Sequence, residues 1–221
     1  MKKQDLRLLI ITSAAAAALA GCSGYAVPGR GASFFVTSAN PGQGGDLGGL
    51  AGADAQCEKL ATAAGRGGKG WRAYLSTQAM PGASAVNARD RIGNGPWVNA
   101  KGAVIAHNVA ELHGSNNLNQ QTGLTETGEE VPSKSPGNKH DIMTGSQRDG
   151  TAMPPGRDTT CGNWTSSGQG GAMVGHVNRG GTNPDPVANT SWNSSHITPG
   201  CGMPDLARVG GAGLLYCFAT R

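Results

Sequence analysis

The sequence GAGLLYCFAT, residues 211–220, determines how the rest of the chain must be arranged. After a glycine cluster it holds five consecutive apolar or aromatic residues, which favours a short buried central strand over a helix. Cys217 lies in this run, and a disulfide from it has to reach a distant part of the chain. Cys57 is the favoured partner because it is the only cysteine between residues 23 and 160, which leaves Cys161 to pair with Cys201. Four cysteines allow three connectivities, and the sequence by itself leaves all three open.

Length and composition describe a glycine-rich chain with few aromatic residues. Its 221 residues suffice for one domain of ordinary size or two very small ones. With 37 glycines and only three Phe and three Tyr, we expect many turns and a modest core that cross-links would help to stabilise. The chain has no internal repeat, and residues 34–221 are predicted to form one domain.

The first 21 residues have the layout of a secretory signal peptide. Lys2, Lys3 and Arg7 give a basic start, and an apolar run over residues 8–20 follows. The sequence LAGC at 19–22 resembles the lipobox of bacterial lipoproteins, so we expect Cys22 to be lipidated, to anchor the protein in the membrane and to begin a tether over residues 22–33. The alternative is ordinary cleavage nearby, which leaves Cys22 free. Ser23, rather than Asp, after the cysteine favours the outer membrane of a Gram-negative bacterium.

The charge of the mature chain is close to neutral. The whole chain carries a net charge of +4, but the signal peptide holds three of its 18 basic and one of its 14 acidic residues, which leaves +2. The remaining basic residues are scattered, unlike the clustered basic surface of a nucleic-acid binder. We therefore expect no nucleic-acid partner.

Two helices are predicted from spacing. Cys57, Leu60, Ala61 and Ala64 recur at intervals of three and four, which predicts a helix over residues 53–64 with Cys57 on its core face. A second helix is predicted over residues 84–92, ended by the turn sequence GNGP. The glycine motif at 65–70 follows a helix and precedes a strand, the reverse of a dinucleotide site, and is predicted to be a loop.

Strands and loops account for the rest. Phe34 to Val36 read as a first strand, and apolar residues alternate with polar ones over residues 71–76 as in a half-buried strand. Residues 97–139 are polar with short apolar pieces, which predicts long loops. Residues 140–144 are predicted to return to a strand, so the fold class is α+β.

Four segments resemble parts of endostatin, the C-terminal domain of certain collagens, in order and approximate spacing. They are GADAQC at 52–57, WRAYLS at 71–76, CGNW at 161–164 and LYC at 215–217. The resemblance implies a C-type-lectin-like fold with two helices, a twisted and mostly antiparallel sheet and long loops. It also implies nested disulfides, Cys57 with Cys217 and Cys161 with Cys201.

The departures from related proteins argue against a metal. Endostatin holds zinc through a histidine-rich N-terminus, and residues 25–35 here contain no histidine. The sequences NPD at 183–185 and WNS at 192–194 are similar to the sugar-binding motifs of calcium-dependent lectins. However, the first lies after Cys161 rather than before it, and Ser194 replaces a calcium ligand. We therefore predict no bound metal and no cofactor.

The candidate ligand-binding residues lie between the inner cysteines, where lectin-like folds often bind their ligands. Their aromatic, imidazole and amide side chains suit stacking on sugars and hydrogen bonding to hydroxyl groups. Buried tryptophans and histidines with fixed hydrogen bonds are the competing, purely structural interpretation. The candidates are Trp164, His176, Asn178, Arg179, Trp192, Asn193 and His196.

These features predict a cell-envelope lipoprotein that displays a non-catalytic binding or adhesion module. The expected ligand is a glycan or another extracellular polymer or protein. One alternative is a structural envelope lipoprotein without a soluble ligand. Another is an oxidase on a lectin-like fold, which needs free cysteines in its active site, whereas four of the five cysteines here are expected to be in disulfides.

Overall fold

Strand β8 (Gly211–Ala219) lies at the centre of a six-stranded sheet in the computed structural model, which describes residues 31–221. Strand β1 (Phe34–Val36) pairs antiparallel with residues 216–218 of β8, and β2 (Trp71–Ala73) pairs antiparallel with residues 217–219. Strand β5 (Asp141–Met143) pairs parallel with β8 around Leu214 and Leu215. The sheet then continues antiparallel through β6 (Met173–His176) to β7 (His196–Ile197). The chain is thus α+β with an open, mostly antiparallel sheet.

Both faces of β8 are buried, which explains its unbroken apolar sequence. Leu215, Cys217 and Ala219 belong to one hydrophobic cluster, while Leu214, Tyr216 and Phe218 belong to a second cluster. Because successive side chains of a strand point to opposite faces, a strand covered on both sides must be apolar at every position. The predicted central strand is confirmed.

Helix α1 (Gly49–Ala63) covers the first of these two faces. It begins four residues before the predicted start, and Cys57 is fully buried on its core side. Gly52 allows this early start, because a Cβ there would lie 1.8 Å from the carbonyl oxygen of Leu47. The predicted disulfides are confirmed: Cys57 is bonded to Cys217, and Cys161 to Cys201.

The second predicted helix is wrong. Only a 3-10 turn forms there, at Ala88–Asp90, because Val86 exchanges backbone hydrogen bonds with Thr77 in an isolated bridge. The remaining helices are single turns or slightly longer. They are α2 (Val109–Leu112), α3 (Cys161–Trp164), α4 (Pro186–Asn189) and α5 (Met203–Arg208).

The other predicted elements agree with the structure. The loop-rich segment 97–139 holds the small hairpin of β3 (Trp97–Val98) and β4 (Val104–Ala106) together with α2, and its other residues lie in turns and loops. Strand β1 occupies the predicted position, and β5 lies within residues 140–144. Strand β2 is shorter than the predicted strand over 71–76, and it is not half-buried beyond Ala73, because Tyr74 and Ser76 are buried as well. The loop at 65–70 connects α1 to β2.

The last tether residue takes part in the described fold. Ser33, assigned above to the tether, accepts a hydrogen bond from the Ala219 amide and donates its own to Val98. The signal peptide and Cys22 lie outside the described residues. Within residues 31–221, no helix has the length and apolar character needed to cross a membrane.

Candidate functional site

Three histidines from neighbouring strands meet around one buried carboxylate, that of Asp141. Asp141 opens β5 and lies directly opposite His176 at the end of β6, while His196 opens β7 opposite Val174. Cross-strand partners lie on the same face, and Val174 shares a face with His176 because side chains alternate. The sheet register therefore places Asp141, His176 and His196 together on one face.

The fourth member, His140, immediately precedes β5. Its ring is stacked on that of His176, with the ring centroids 4.6 Å apart and the planes 7° from parallel. The Nε2 atoms of His140 and His176 lie 3.2 and 3.3 Å from Asp141 Oδ1, and His196 Nε2 lies 3.2 Å from Oδ2. We call these four residues the histidine cluster.

Asp141 is deeply buried and needs a positive partner. Only 1% of the residue is exposed, and neither carboxylate oxygen accepts a well-formed hydrogen bond from the described residues. A buried carboxylate without compensation is strongly unfavourable, so buried acids are paired with cations or coordinate metals. The groups available to Asp141 are the three imidazole nitrogens.

The tautomer of His176 is fixed by its surroundings. Its Nδ1 lies 2.8 Å from the carbonyl oxygen of Asn189, which can only accept a hydrogen bond. The Nδ1 atom therefore carries the hydrogen, and in the neutral ring the lone pair is on Nε2. That lone pair faces the carboxylate of Asp141 and the hydroxyl of Ser195, whose Oγ lies 3.1 Å away.

His140 has the same arrangement. Its Nδ1 lies 3.1 Å from Oδ1 of Asn178, and the same amide oxygen accepts a hydrogen bond from the backbone N–H of Gly180. This second contact assigns the oxygen as an acceptor, so Nδ1 of His140 is the donor. The neutral rings of His140 and His176 thus both direct an Nε2 lone pair toward the same oxygen of Asp141.

The electrostatics of the cluster favour an ionised Asp141 with positive charge beside it. Burial raises the pKa of Asp141, but the contacts with His176 and His196 outweigh it and leave the pKa below its ordinary value. Burial also lowers the pKa of His140. Burial acts in the same direction on His196, yet its close contact with Asp141 and its attraction to that carboxylate prevail, and the pKa of His196 is raised.

The histidine cluster forms one wall of an open cleft of about 690 Å³. Its other walls carry polar groups from Asn138, Thr182 and Asn183, with Arg208 beside them. Gly181 lets the loop pass close to the cluster, because a Cβ there would lie 2.3 Å from Cε1 of His176. Side chains at the cluster are thus reached from solvent through an opening lined by both polar and apolar residues.

The structure brings three of the seven predicted ligand residues to this cleft. His176 and His196 line it, and Asn178 orients His140 from behind. His196 is the most accessible member of the cluster, with 28% of its side chain exposed. These three residues remain candidates.

The other four do not line the cleft and are engaged in contacts within the protein, three of them buried and Arg179 half-buried, which argues against their assignment. Trp164 is fully buried and donates its Nε1–H to the carbonyl of Ser76. Trp192 is 3% exposed and packs against aromatic rings of the core. Asn193 is 1% exposed and donates to the Tyr74 hydroxyl, and Arg179 donates to backbone carbonyls of Leu118 and Thr190.

Two members of the cluster, His140 and Asp141, were missed by the sequence analysis. Residues 140–144 were treated only as a strand, although an aspartate in an otherwise apolar, buried strand is unusual. That single charge was the available signal. The expectation of no metal was based on the absence of known motifs and took no account of these residues.

The cluster lacks the geometry of a Ser-His-Asp triad. In a triad the serine and the aspartate contact different nitrogens of one histidine. Here Ser195 Oγ and Asp141 Oδ1 both lie near Nε2 of His176, and Nδ1 is committed to Asn189. Nucleophilic catalysis by this serine is therefore not supported.

Comparisons with known proteins add no family assignment. No protein-family model matches this chain, and no curated protein matches it either. Function is therefore inferred from the geometry of the described residues.

Proposed function

We propose that this protein is a cell-envelope lipoprotein that displays a non-catalytic, C-type-lectin-like binding module, and that its ligand binds in the cleft beside the histidine cluster. The endostatin-like reading of the fold is supported by the nested disulfides and by the C-terminal strand at the centre of the sheet. The observation that carries the binding function is the convergence of three histidines on an open cleft with polar groups in its walls.

The chemistry of the cleft favours a ligand rich in hydroxyl or carboxylate groups. Binding sites are typically concave and contain a few convergent polar groups that fix the orientation of the ligand. The imidazole of His196 and the side chains of Thr182 and Asn183 offer such groups at the cleft. Because Trp164 and Trp192 are buried, recognition proceeds through polar contacts rather than stacking on tryptophan. A glycan or another hydroxyl-rich extracellular polymer fits these requirements.

A glycan array probed with the full chain in detergent tests this proposal. Replacing His196 by alanine should weaken binding at least tenfold, because the most exposed imidazole of the cleft is lost. His107→Ala is the matched control, since His107 is an exposed histidine paired with Glu111 and lies outside the cleft. Equal binding by the two variants would contradict the assignment of the site.

The two alternatives predict different outcomes. A structural lipoprotein would give a silent array although the wild-type protein is folded. An oxidase would need at least two reactive thiols, and four of the five cysteines are in disulfides, which leaves only Cys22. Thiol counting on the exported protein measures this directly, and two or more free thiols would favour the oxidase.

A further inference from the structure

We propose that the histidine cluster binds a divalent transition-metal ion of the zinc class through His140, Asp141 and His176, with His196 as an additional ligand from the cleft side. The inference rests on the proposed function of the cleft as a ligand site and names the cofactor that this site would use. The metal would contact both the protein and the ligand.

The spacing of the donor atoms is that of a coordination shell. One donor atom from each of His140, Asp141 and His176 lies within 4.8 Å of the others. The nitrogen-to-oxygen separations in the cluster are 3.2 and 3.3 Å. Ligands about 2.0 Å from a tetrahedral zinc ion are about 3.3 Å apart, and these nitrogen-to-oxygen separations match that value.

The hydrogen-bond network presents the nitrogens as ligands. Metal-binding histidines usually donate their second ring N–H to an oxygen, which fixes the tautomer and the ring orientation. His140 does so to Asn178, and His176 to the carbonyl of Asn189. Both Nε2 atoms are thereby left with a lone pair on the side of Asp141.

Nitrogen atoms approach both oxygens of the Asp141 carboxylate. Oδ1 faces the Nε2 atoms of both His140 and His176, and Oδ2 faces that of His196. Two lone pairs directed at an anionic oxygen repel one another unless a cation lies between them. A divalent ion compensates all of these atoms at once, and it also accounts for a buried carboxylate that lacks well-formed hydrogen bonds.

The donor set selects the class of metal. Calcium takes six to eight oxygen ligands and magnesium an octahedron of oxygens, whereas imidazole nitrogens suit zinc and its neighbours. Three histidine nitrogens and one carboxylate are therefore the kind of ligand set that zinc and neighbouring transition metals prefer. Because the cluster opens on the cleft at His196, a ligand hydroxyl or carboxylate can complete or replace the coordination on that side.

Calorimetric titration with zinc chloride alone tests the proposal. The sample is the full chain in detergent, from which a chelator has first removed bound metal. We expect one zinc ion per chain, and substitution by Co²⁺ should give the visible absorption bands of a tetrahedral nitrogen and oxygen site. Asp141→Asn, which preserves shape, and His176→Gln should each weaken binding at least 100-fold. Asn178→Ala should weaken zinc binding about 10- to 100-fold because the hydrogen bond that orients the His140 ring is lost.

Control variants separate the cluster from adventitious binding by surface histidines. His107→Ala should bind zinc like the wild type. If Asp141→Asn fails to fold by circular dichroism, His196→Ala at the cleft edge provides the second measurement, with an expected loss of at least tenfold. Zinc binding that is absent, or that is unchanged in His176→Gln and His196→Ala, would overturn the proposal.

The same preparation distinguishes failure of the metal site from failure of the proposed function. Glycan binding that persists after chelation, with no uptake of zinc, would refute the metal site and leave the binding function intact. Stoichiometric zinc uptake with a silent array would support the metal site and refute the glycan-binding function. Loss of glycan binding on chelation, restored by zinc, would support both.

Discussion

Replacement of Asp54 by alanine should destabilise the protein more than most single substitutions. Asp54 lies on α1 with its side chain 11% exposed, and its carboxylate receives Arg91 Nη2 at 2.7 Å and Arg72 Nη1 at 2.9 Å. Its Oδ1 also accepts the backbone N–H of Ala73 at 2.9 Å. One carboxylate thus connects α1, β2 and the segment after the 3-10 turn.

The two arginines differ in burial, which sets the expected magnitudes. The side chain of Arg91 is 12% exposed, and that of Arg72 is 48% exposed. Asp54→Ala leaves the charge of Arg91 nearly buried and unpaired, which should cost about 3–5 kcal/mol of unfolding free energy. Arg72→Ala removes only a partly solvated pair and should cost about 0–1 kcal/mol.

Chemical denaturation of wild type, Asp54→Ala, Arg72→Ala and Arg91→Ala measures these differences. In a domain of this size, 3–5 kcal/mol corresponds to a decrease in Tm of about 6–20 °C. Asp54→Asn should lie between the extremes, since it retains an acceptor for the Ala73 amide but loses the charge. The reasoning is refuted if Asp54→Ala costs less than 1 kcal/mol or if the two arginine variants are equally destabilised.

Three further predictions concern the cross-links, the pH dependence and the anchor. Loop-closure entropy predicts a cost of roughly 5 kcal/mol for removing the Cys57–Cys217 bridge, which closes a loop with a sequence separation of 160. Removing Cys161–Cys201, with a separation of 40, should cost roughly 4 kcal/mol. Denaturation of the double alanine variants measures both costs, and the reverse order would contradict the prediction. Burial lowers the pKa of His113, so the unfolded chain binds more protons and the free energy of unfolding should fall as pH drops below 6.5. The contribution of His113 to this decrease should be absent from His113→Gln when the two proteins are compared at pH 7.5 and pH 5. Cys22→Ser should release the protein from the membrane fraction or block its processing, and normal processing with retention would exclude lipidation.

The sequence predicted the elements whose burial follows a regular pattern along the chain. Residues 214–218 are apolar because β8 is covered on both faces, and α1 shows its period because one side faces the core. The helix predicted over 84–92 did not form because other contacts hold this segment. The amides of Val86 and Ala88 donate to Thr77 and to Ser76 Oγ, which leaves only the short hydrogen bonds of the 3-10 turn.

The candidate site was predictable only in part. His176 and His196 were selected because polar side chains cluster between the inner cysteines. His140 and Asp141 lie more than 30 positions earlier, and they join the cluster through the order of β5, β6 and β7 in the sheet. That order depends on long-range pairing, which spacing along the chain does not show. Trp164 and Trp192 were misassigned because the sequence does not show whether an aromatic side chain binds a ligand or packs in the core.

The inner disulfide has a direct relation to the histidine cluster. Cys161 precedes β6 and Cys201 follows β7, so the bridge between them closes the segment that carries His176 and His196. Within this segment the two strands pair antiparallel, which fixes the separation of the two rings. Binding groups that are held in place before the ligand arrives lose less conformational entropy on binding. In a glycine-rich domain with a modest core, the cross-link therefore contributes to the order of the site as well as to the stability of the fold.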